Sequence, residues 1–239
     1  MLRIDGQVSC SQQNKEATMI HPDSLGATLD AINAAFFYQR PPSRAQKEAA
    51  TRWLLERQFE SGQHAGLFAP TGRDYKDGVR LFTGEKLKTL LATRNILGSE
   101  AARALTLFDL PSAEVQSALE RLDQNVLQAC YARSCVIGEC AHSAIGLVRY
   151  LCVAALDDAE RRLGTHVEII SQHRNGDGRW KRFPFYYTLL ALSEMDLPAA
   201  VEELRYAAPA CERLLRRSPK DDVFSQRRRV ILQKVLARC

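Results

Sequence analysis

Long hydrophobic runs are missing from this sequence. Its longest stretches without a charge reach about half the ~20 apolar residues that a membrane span needs. No spanning helix is expected. The opening MLRIDGQVSC lacks the apolar centre of a signal peptide, so the expected location is cytoplasmic. The seven cysteines are odd in number and unevenly spread, which excludes a complete set of internal disulfides and favours reduced thiols. Gly62, Gly66, Gly72 and Gly78 match neither the GxGxxG nor the P-loop spacing, so a nucleotide fingerprint is absent. No period-2 alternation persists, which argues against strands. Low-complexity, collagen-like and coiled-coil tracts are absent as well.

What is present is apolar residue in quantity, 46% of the chain, enough to bury a sizeable core. Charge is unevenly placed. Residues 205–239 hold ten Lys+Arg against three Asp+Glu, whereas the net charge of the whole chain is only +5. The basic character belongs to the C-terminal end.

Apolar residues recur at helical spacing along most of the chain. Ser24 reads as an N-cap ahead of Leu25, Leu29, Ile32 and Phe36, and Pro41-Pro42 ends that helix. Ala50, Trp53, Leu54 and Arg57 mark the next. Residues 60–82 read as a long loop. Leu87, Leu90, Leu91 and Arg94 share one helical face. Ser112 caps a helix with Val115, Leu119, Leu122 and Val126 on its buried stripe, and Ala159, Leu163, Val167 and Ile170 repeat the pattern. The expected fold is all-α, with about ten helices. Residues 1–20, polar and aperiodic, are expected to be disordered. Residues 21–239 are expected to form a single α-helical repeat domain.

A shift of 40 residues supplies the repeat. It places Gly138-Glu139-Cys140 on Gly178-Arg179-Trp180, and the apolar helix 144–156 on 184–196. Residues 198–239 repeat the order, and residues 45–97 do so more loosely. Each unit is an amphipathic helix, a Gly-bearing turn and a more apolar helix. A helix with one wet face belongs outside and one apolar all round belongs between others, so helical hairpins in two layers are expected. In NGDGRWKRFPFYYTLLAL, Gly176 and Gly178 allow the reversal, Pro184 suits the first helical turn, and Trp180 covers the junction.

The pattern of Gln172 with Gly178-Arg179-Trp180, and of Gln58 with Gly62 and Gly66-Leu67-Phe68, resembles the repeats of the α/α toroid superfamily, which includes squalene–hopene cyclases and protein prenyltransferase β subunits. The resemblance covers about residues 45–197. It implies a partial α/α toroid; a short HEAT-like solenoid is the independent alternative. The family's acid motif and zinc ligands find no counterpart here, so the resemblance implies a fold and no active site.

Five places invite a functional reading. Arg149, inside an apolar helix, either pairs with a carboxylate such as Glu139 or Glu194 or faces an anion in a central cavity. Trp180, Phe183, Tyr186 and Tyr187 join it as a candidate ligand pocket, an aromatic lining suited to a flat apolar ligand. Arg213, Arg217, Arg227 and Arg229 form a candidate anion-binding patch. Loop 60–82 carries His64, Arg73, Asp74, Tyr75, Asp77 and Arg80, from which an acid–base pair could be drawn. CYARSCVIGECAH brings Cys130, Cys135, Cys140 and His142, but five residues of helix turn by about 140°, which points successive thiols apart. No metal and no cofactor are expected. The residues together favour a non-catalytic or cryptic helical-repeat protein that binds a protein partner or apolar small molecule on its inner surface. The alternatives are a toroid-type enzyme acting on an isoprenoid-like or carbohydrate-like substrate, and a solenoid binding nucleic acid through its basic end.

Overall fold

The computed structural model describes residues 19–217 and 220–239. Residues 1–18, most of the segment expected to be disordered, lie outside the described residues. Met19 and Ile20 are half-buried against the core.

Every regular element among the described residues is an α-helix. In chain order they are α1 (Leu25–Phe37), α2 (Arg44–Leu55), α3 (Gly72–Asp77), α4 (Leu90–Phe108), α5 (Ala113–Val126), α6 (Cys130–Arg133), α7 (Cys140–Leu151), α8 (Ala159–Ser171), α9 (Phe185–Ser193), α10 (Pro198–Leu215) and α11 (Val223–Leu236). The two expected N-caps form, and α2 adds a capping box. The Ser24 hydroxyl accepts the Ala27 amide, the Ser112 hydroxyl accepts the Val115 amide, and Ser43 with Gln46 closes a capping box on α2. On α5, Val115, Leu122 and Val126 are buried and Leu119 packs at the edge; on α8, Leu163, Val167 and Ile170 are buried.

Helices α4 and α7 are buried on nearly every side, and α9 from Tyr187 onward. Such helices need partners all round. α4 packs on α1, α2, α5 and α7; α7 also meets α6, α8 and α9; α9 meets α10 and α11. α2, α5, α8 and α10 each bury a single face. The last helix returns to the first: Arg227 of α11 forms an ion pair with Asp30 of α1, and Lys234 sits over the ring of Phe37.

Three expectations change. α5, α8 and α10 begin at 113, 159 and 198, so no fixed step of 40 relates them. Cys140 opens α7 whereas Trp180 stands ahead of α9, so the two Gly-bearing triplets do not superpose. Leu90 and Leu91 are exposed, and Leu87 is buried before α4 begins. The buried positions of α4 start at Ala92.

A common turn does occur twice, at Gln58 as the sequence suggested and, in the second copy, two positions beyond Gln172. Gln58 bridges Phe68, and Arg174 bridges Trp180. The Gln58 amide donates to the Gly66 and Ala118 carbonyls and its oxygen accepts from Arg121 of α5. Arg174 pairs with Glu203 of α10. Gln172 is exposed; Arg174 holds the place that Gln58 holds. Gly66 and Gly178 have φ of +85° and +88°, and a Cβ at either would strike the next amphipathic helix, at the Arg121 carbonyl or at Ala210.

Apical caps tie these turns together over long range. Asp74 accepts the Leu25 and Gly26 amides at the start of α1, Glu139 accepts the Lys88 and Thr89 amides at 2.7 and 2.6 Å ahead of α4, and Glu85 accepts the Tyr186 and Tyr187 amides of α9. A carboxylate at a helix N-terminus satisfies open N–H groups and meets the positive end of the dipole.

One core histidine makes folding sensitive to acid. His166 of α8 is buried and its Nε2 has no partner among the described residues. Burial, aided by the Arg162 charge, pushes its pKa down to about 4. The unfolded chain protonates this ring below its ordinary value of about 6.5, while the folded chain resists until about 4. Stability from neutral His166 is therefore full above pH ~6.5 and falls as pH drops toward 4. Urea midpoints at pH 7 and pH 4.5 should lie closer together in His166→Leu than in the parent. An unchanged separation would show that the ring titrates normally.

Candidate functional site

The interior that the sequence offered as a ligand pocket is filled by a polar network. Arg149 of α7 donates to both oxygens of Glu194, at 2.9 and 3.0 Å, and to Glu100 of α4. Tyr187 of α9 donates its hydroxyl to the same Glu100 oxygen, and Asn33 of α1 donates to the other at 2.9 Å. Arg103 links Asn33 and Glu194, at 3.0 Å each. Two guanidinium groups thus balance two carboxylates at the meeting point of α1, α4, α7 and α9. Burial by itself raises the Glu100 pKa; the Arg149 and Arg103 charges, with the Tyr187 and Asn33 hydrogen bonds, outweigh it and hold the carboxyl below its ordinary value. Arg149 is buried too, but its two carboxylates raise its pKa well above the usual value. The void left beside this network is about 20 Å³, room for one water.

This corrects the pocket expectation. Arg149 faces no open cavity; it is the internal partner of Glu194, one of the two carboxylates named for it. Glu139, the other, caps α4 instead. Trp180 is buried with its indole N–H donating to Glu203 at 2.7 Å, between Phe185 and Tyr206. Phe183 is buried against His173. The adjacent tyrosines diverge, as a step of about 100° per helical residue requires: Tyr187 turns inward, and Tyr186 turns to a cleft on the surface.

That cleft, about 580 Å³, opens between α10, α11 and the turn around Gly84. Five cations line it: Arg80, Arg217, Lys220, Arg228 and Arg229. Its floor is apolar, with Tyr186, Phe224, Leu214, Leu215 and Leu232. Gly84, with φ of +92°, lets Phe224 approach: a Cβ there would lie 2.8 Å from the Phe224 Cβ. Arg228 is anchored by the Thr83 carbonyl at 2.6 Å and lies over the Tyr186 ring; Arg80 donates to the Gly84 carbonyl at 3.0 Å. Arg217, Lys220 and Arg229 are exposed and make no ion pair among the described residues. The carboxylate among the lining residues, Asp222, is engaged in capping α11 through Ser225.

The expected basic patch is therefore divided. Arg217 and Arg229 line the cleft. Arg213 turns away to the Asp177 carbonyl at 2.7 Å. Arg227 is corrected outright: it is 4% exposed, both terminal nitrogens bond to Asp30, and its guanidinium lies 4.0 Å from the centre of the Phe82 ring. It joins α11 to α1 and offers an anion nothing.

The acid–base pair sought in loop 60–82 is also absent. Asp74 is consumed by the α1 cap, Arg73 pairs with Asp23 and Asp77, His64 lies beside Arg94, and residues 72–77 are α3. The thiols depart from expectation for a different reason: the chain does not run as one helix from Cys130 to Cys140 but breaks after α6. The sulfurs of Cys130, Cys135 and Cys140 all lie within 4.8 Å of one another; His142 stands outside that group.

Among the described residues no helix is long and apolar enough to cross a membrane. No protein-family model matches this sequence, and no characterised protein or solved structure shows significant similarity to it.

Proposed function

We propose that this chain is a non-catalytic helical binding protein whose ligand is a small amphiphilic organic anion held in the basic cleft. The observation that carries the reading is the pairing of five cations with an aromatic and leucine floor in one cavity of about 580 Å³, with a single, already engaged carboxylate. Cations without acidic partners attract a phosphate or carboxylate, and the floor takes an apolar body. The volume is of ordinary small-ligand size. The inner-surface site of the sequence reading thus moves outward, because the interior acid Glu100 is sealed by Arg149, Asn33 and Tyr187. The same sealing counts against an interior active site of toroid type.

The scaffold we propose is a small α/α toroid. Helices buried all round alternate with helices that have one wet face, the turn at Gly66 is repeated at Gly178, and the α11–α1 ion pair closes the circuit. An open HEAT-like solenoid would leave its first and last inner helices apart.

1-Naphthyl phosphate tests both halves of the cleft. It should bind at least tenfold more tightly than inorganic phosphate or 1-naphthol. Arg217→Ala and Arg229→Ala should each weaken it by about tenfold or more, the ~1.5–3 kcal/mol of a charge-assisted hydrogen bond; Arg213→Ala should leave it unchanged. Failure to bind, or equal losses in all three variants, would remove the reading. A second reading has its own observation: Arg213 and Arg216 extend the basic surface beyond the cleft. Single-stranded DNA held more tightly than the ~10⁻⁴–10⁻⁶ M of non-specific contacts at physiological salt would favour nucleic acid.

A further inference from the structure

We propose that Cys130, Cys135 and Cys140 form a three-thiolate site for a thiophilic d¹⁰ metal ion of the zinc(II) type, with one coordination position open to solvent. The three sulfurs lie within 4.8 Å of one another, and those of Cys130 and Cys140 are 3.8 Å apart. Zinc–sulfur bonds of ~2.3 Å in a tetrahedron set the sulfurs about 3.8 Å apart. The cluster therefore needs only a small contraction around an ion.

The backbone builds this arrangement without help from an ion. Helix α6 is a single turn starting at Cys130. The Cys135 amide then folds back on the Cys130 carbonyl at 3.1 Å. Gly138, with φ of +55°, reverses the chain, and the Cys140 amide donates to the Ile137 carbonyl at 3.1 Å. Three donors five residues apart in succession thus meet at the mouth of α7. Among the described residues no other thiol joins such a group: Cys152, Cys211 and Cys239 stand outside it.

Donor chemistry selects the occupant. Three sulfurs and no carboxylate favour soft ions over magnesium or calcium. Cys130 is exposed and the other two are half-buried, which provides an entry path and leaves the fourth position to water. Binding of Zn²⁺ releases three thiol protons to solvent and forms three Zn–S bonds, leaving the centre with a charge of −1.

The test uses the full chain, reduced with a phosphine and stripped by a chelator. Zn²⁺ is titrated against a chromophoric chelator, and Co²⁺ serves as the spectroscopic substitute. One equivalent of zinc should bind, and cobalt should give an intense thiolate-to-metal band in the near ultraviolet. Cys135→Ser and Cys140→Ser should each weaken zinc by at least 100-fold, beyond the ~10–100-fold expected for a group outside the coordination sphere. Their helical circular dichroism should match the parent, and Cys152→Ser and Cys211→Ser should bind as the parent does. A reduced chain that takes up no zinc, a cobalt adduct without the thiolate band, or serine variants with parental affinity would overturn the site. So would a Cys130–Cys140 disulfide that forms in air despite excess zinc.

Discussion

Replacing Arg149 by methionine should lower the unfolding free energy by about 3–5 kcal/mol, the cost of breaking a buried ion pair from one side. That is a large part of the ~5–15 kcal/mol available to a domain. Methionine fills much of the space, so the loss comes from charge. Glu100 is left with Arg103 as its remaining cationic influence while staying 6% exposed. The pH dependence identifies the group responsible. In the parent, the Glu100 pKa is depressed, so its contribution is present above the unfolded value of about 4.3 and is lost as pH falls through the lower folded value. In the variant, burial is the largest remaining influence and drives the carboxyl upward. A raised carboxyl is destabilising when ionised and is relieved by protonation. The variant should therefore recover part of its deficit as pH is lowered from 7 toward 5, while the parent should not gain through Glu100. Urea denaturation at the two pH values measures both. A deficit under 1 kcal/mol, or one independent of pH, would mean that the network is open to water.

Trp180→Ala should cost a similar ~3–5 kcal/mol, the range for truncating a buried aromatic. The ring is 4% exposed and sits where the turn after α8 meets α10. Its loss leaves a cavity between Phe185 and Tyr206 and removes a hydrogen bond from Glu203, which is buried and keeps only Arg174. Trp180→Phe separates the two effects. It retains most of the ring and loses the N–H, so about 1.5–3 kcal/mol is expected. Chemical denaturation of the two variants beside the parent gives the comparison. An alanine variant with the parental midpoint and slope would place the ring at the surface, where it would serve recognition instead of packing.

Local signals carried the helices and failed over distance. Ser24, Ser43 and Ser112 act through amides three residues away, and each can be read in the sequence. Asp74, Glu85 and Glu139 cap helices 49, 101 and 51 residues away, respectively, and no spacing rule reaches that far. Arg149 was visible as a cation in an apolar helix, and Glu194 was a nameable partner. Glu100 and Arg103 were not, although both are charges within the fully buried stretch of α4; a charge inside a helix buried on all sides is the signal that points to them. The thiol cluster is invisible to a single helical period, because the stretch from Cys130 to Cys140 contains Gly138 at positive φ. The basic end was visible in composition alone. Arg227 and Arg229 stand about 200° apart on α11, and which of them turns inward depends on the α1–α11 contact.

Hydrogen–deuterium exchange of the full chain, with and without saturating 1-naphthyl phosphate, tests most directly whether ligands are taken in the cleft. The proposed site predicts added protection at residues 80–86, 214–217 and 224–232, with α4 and α7 unchanged. Protection confined to α4 and α7, around Glu100 and Arg149, would contradict it and return the binding surface to the interior.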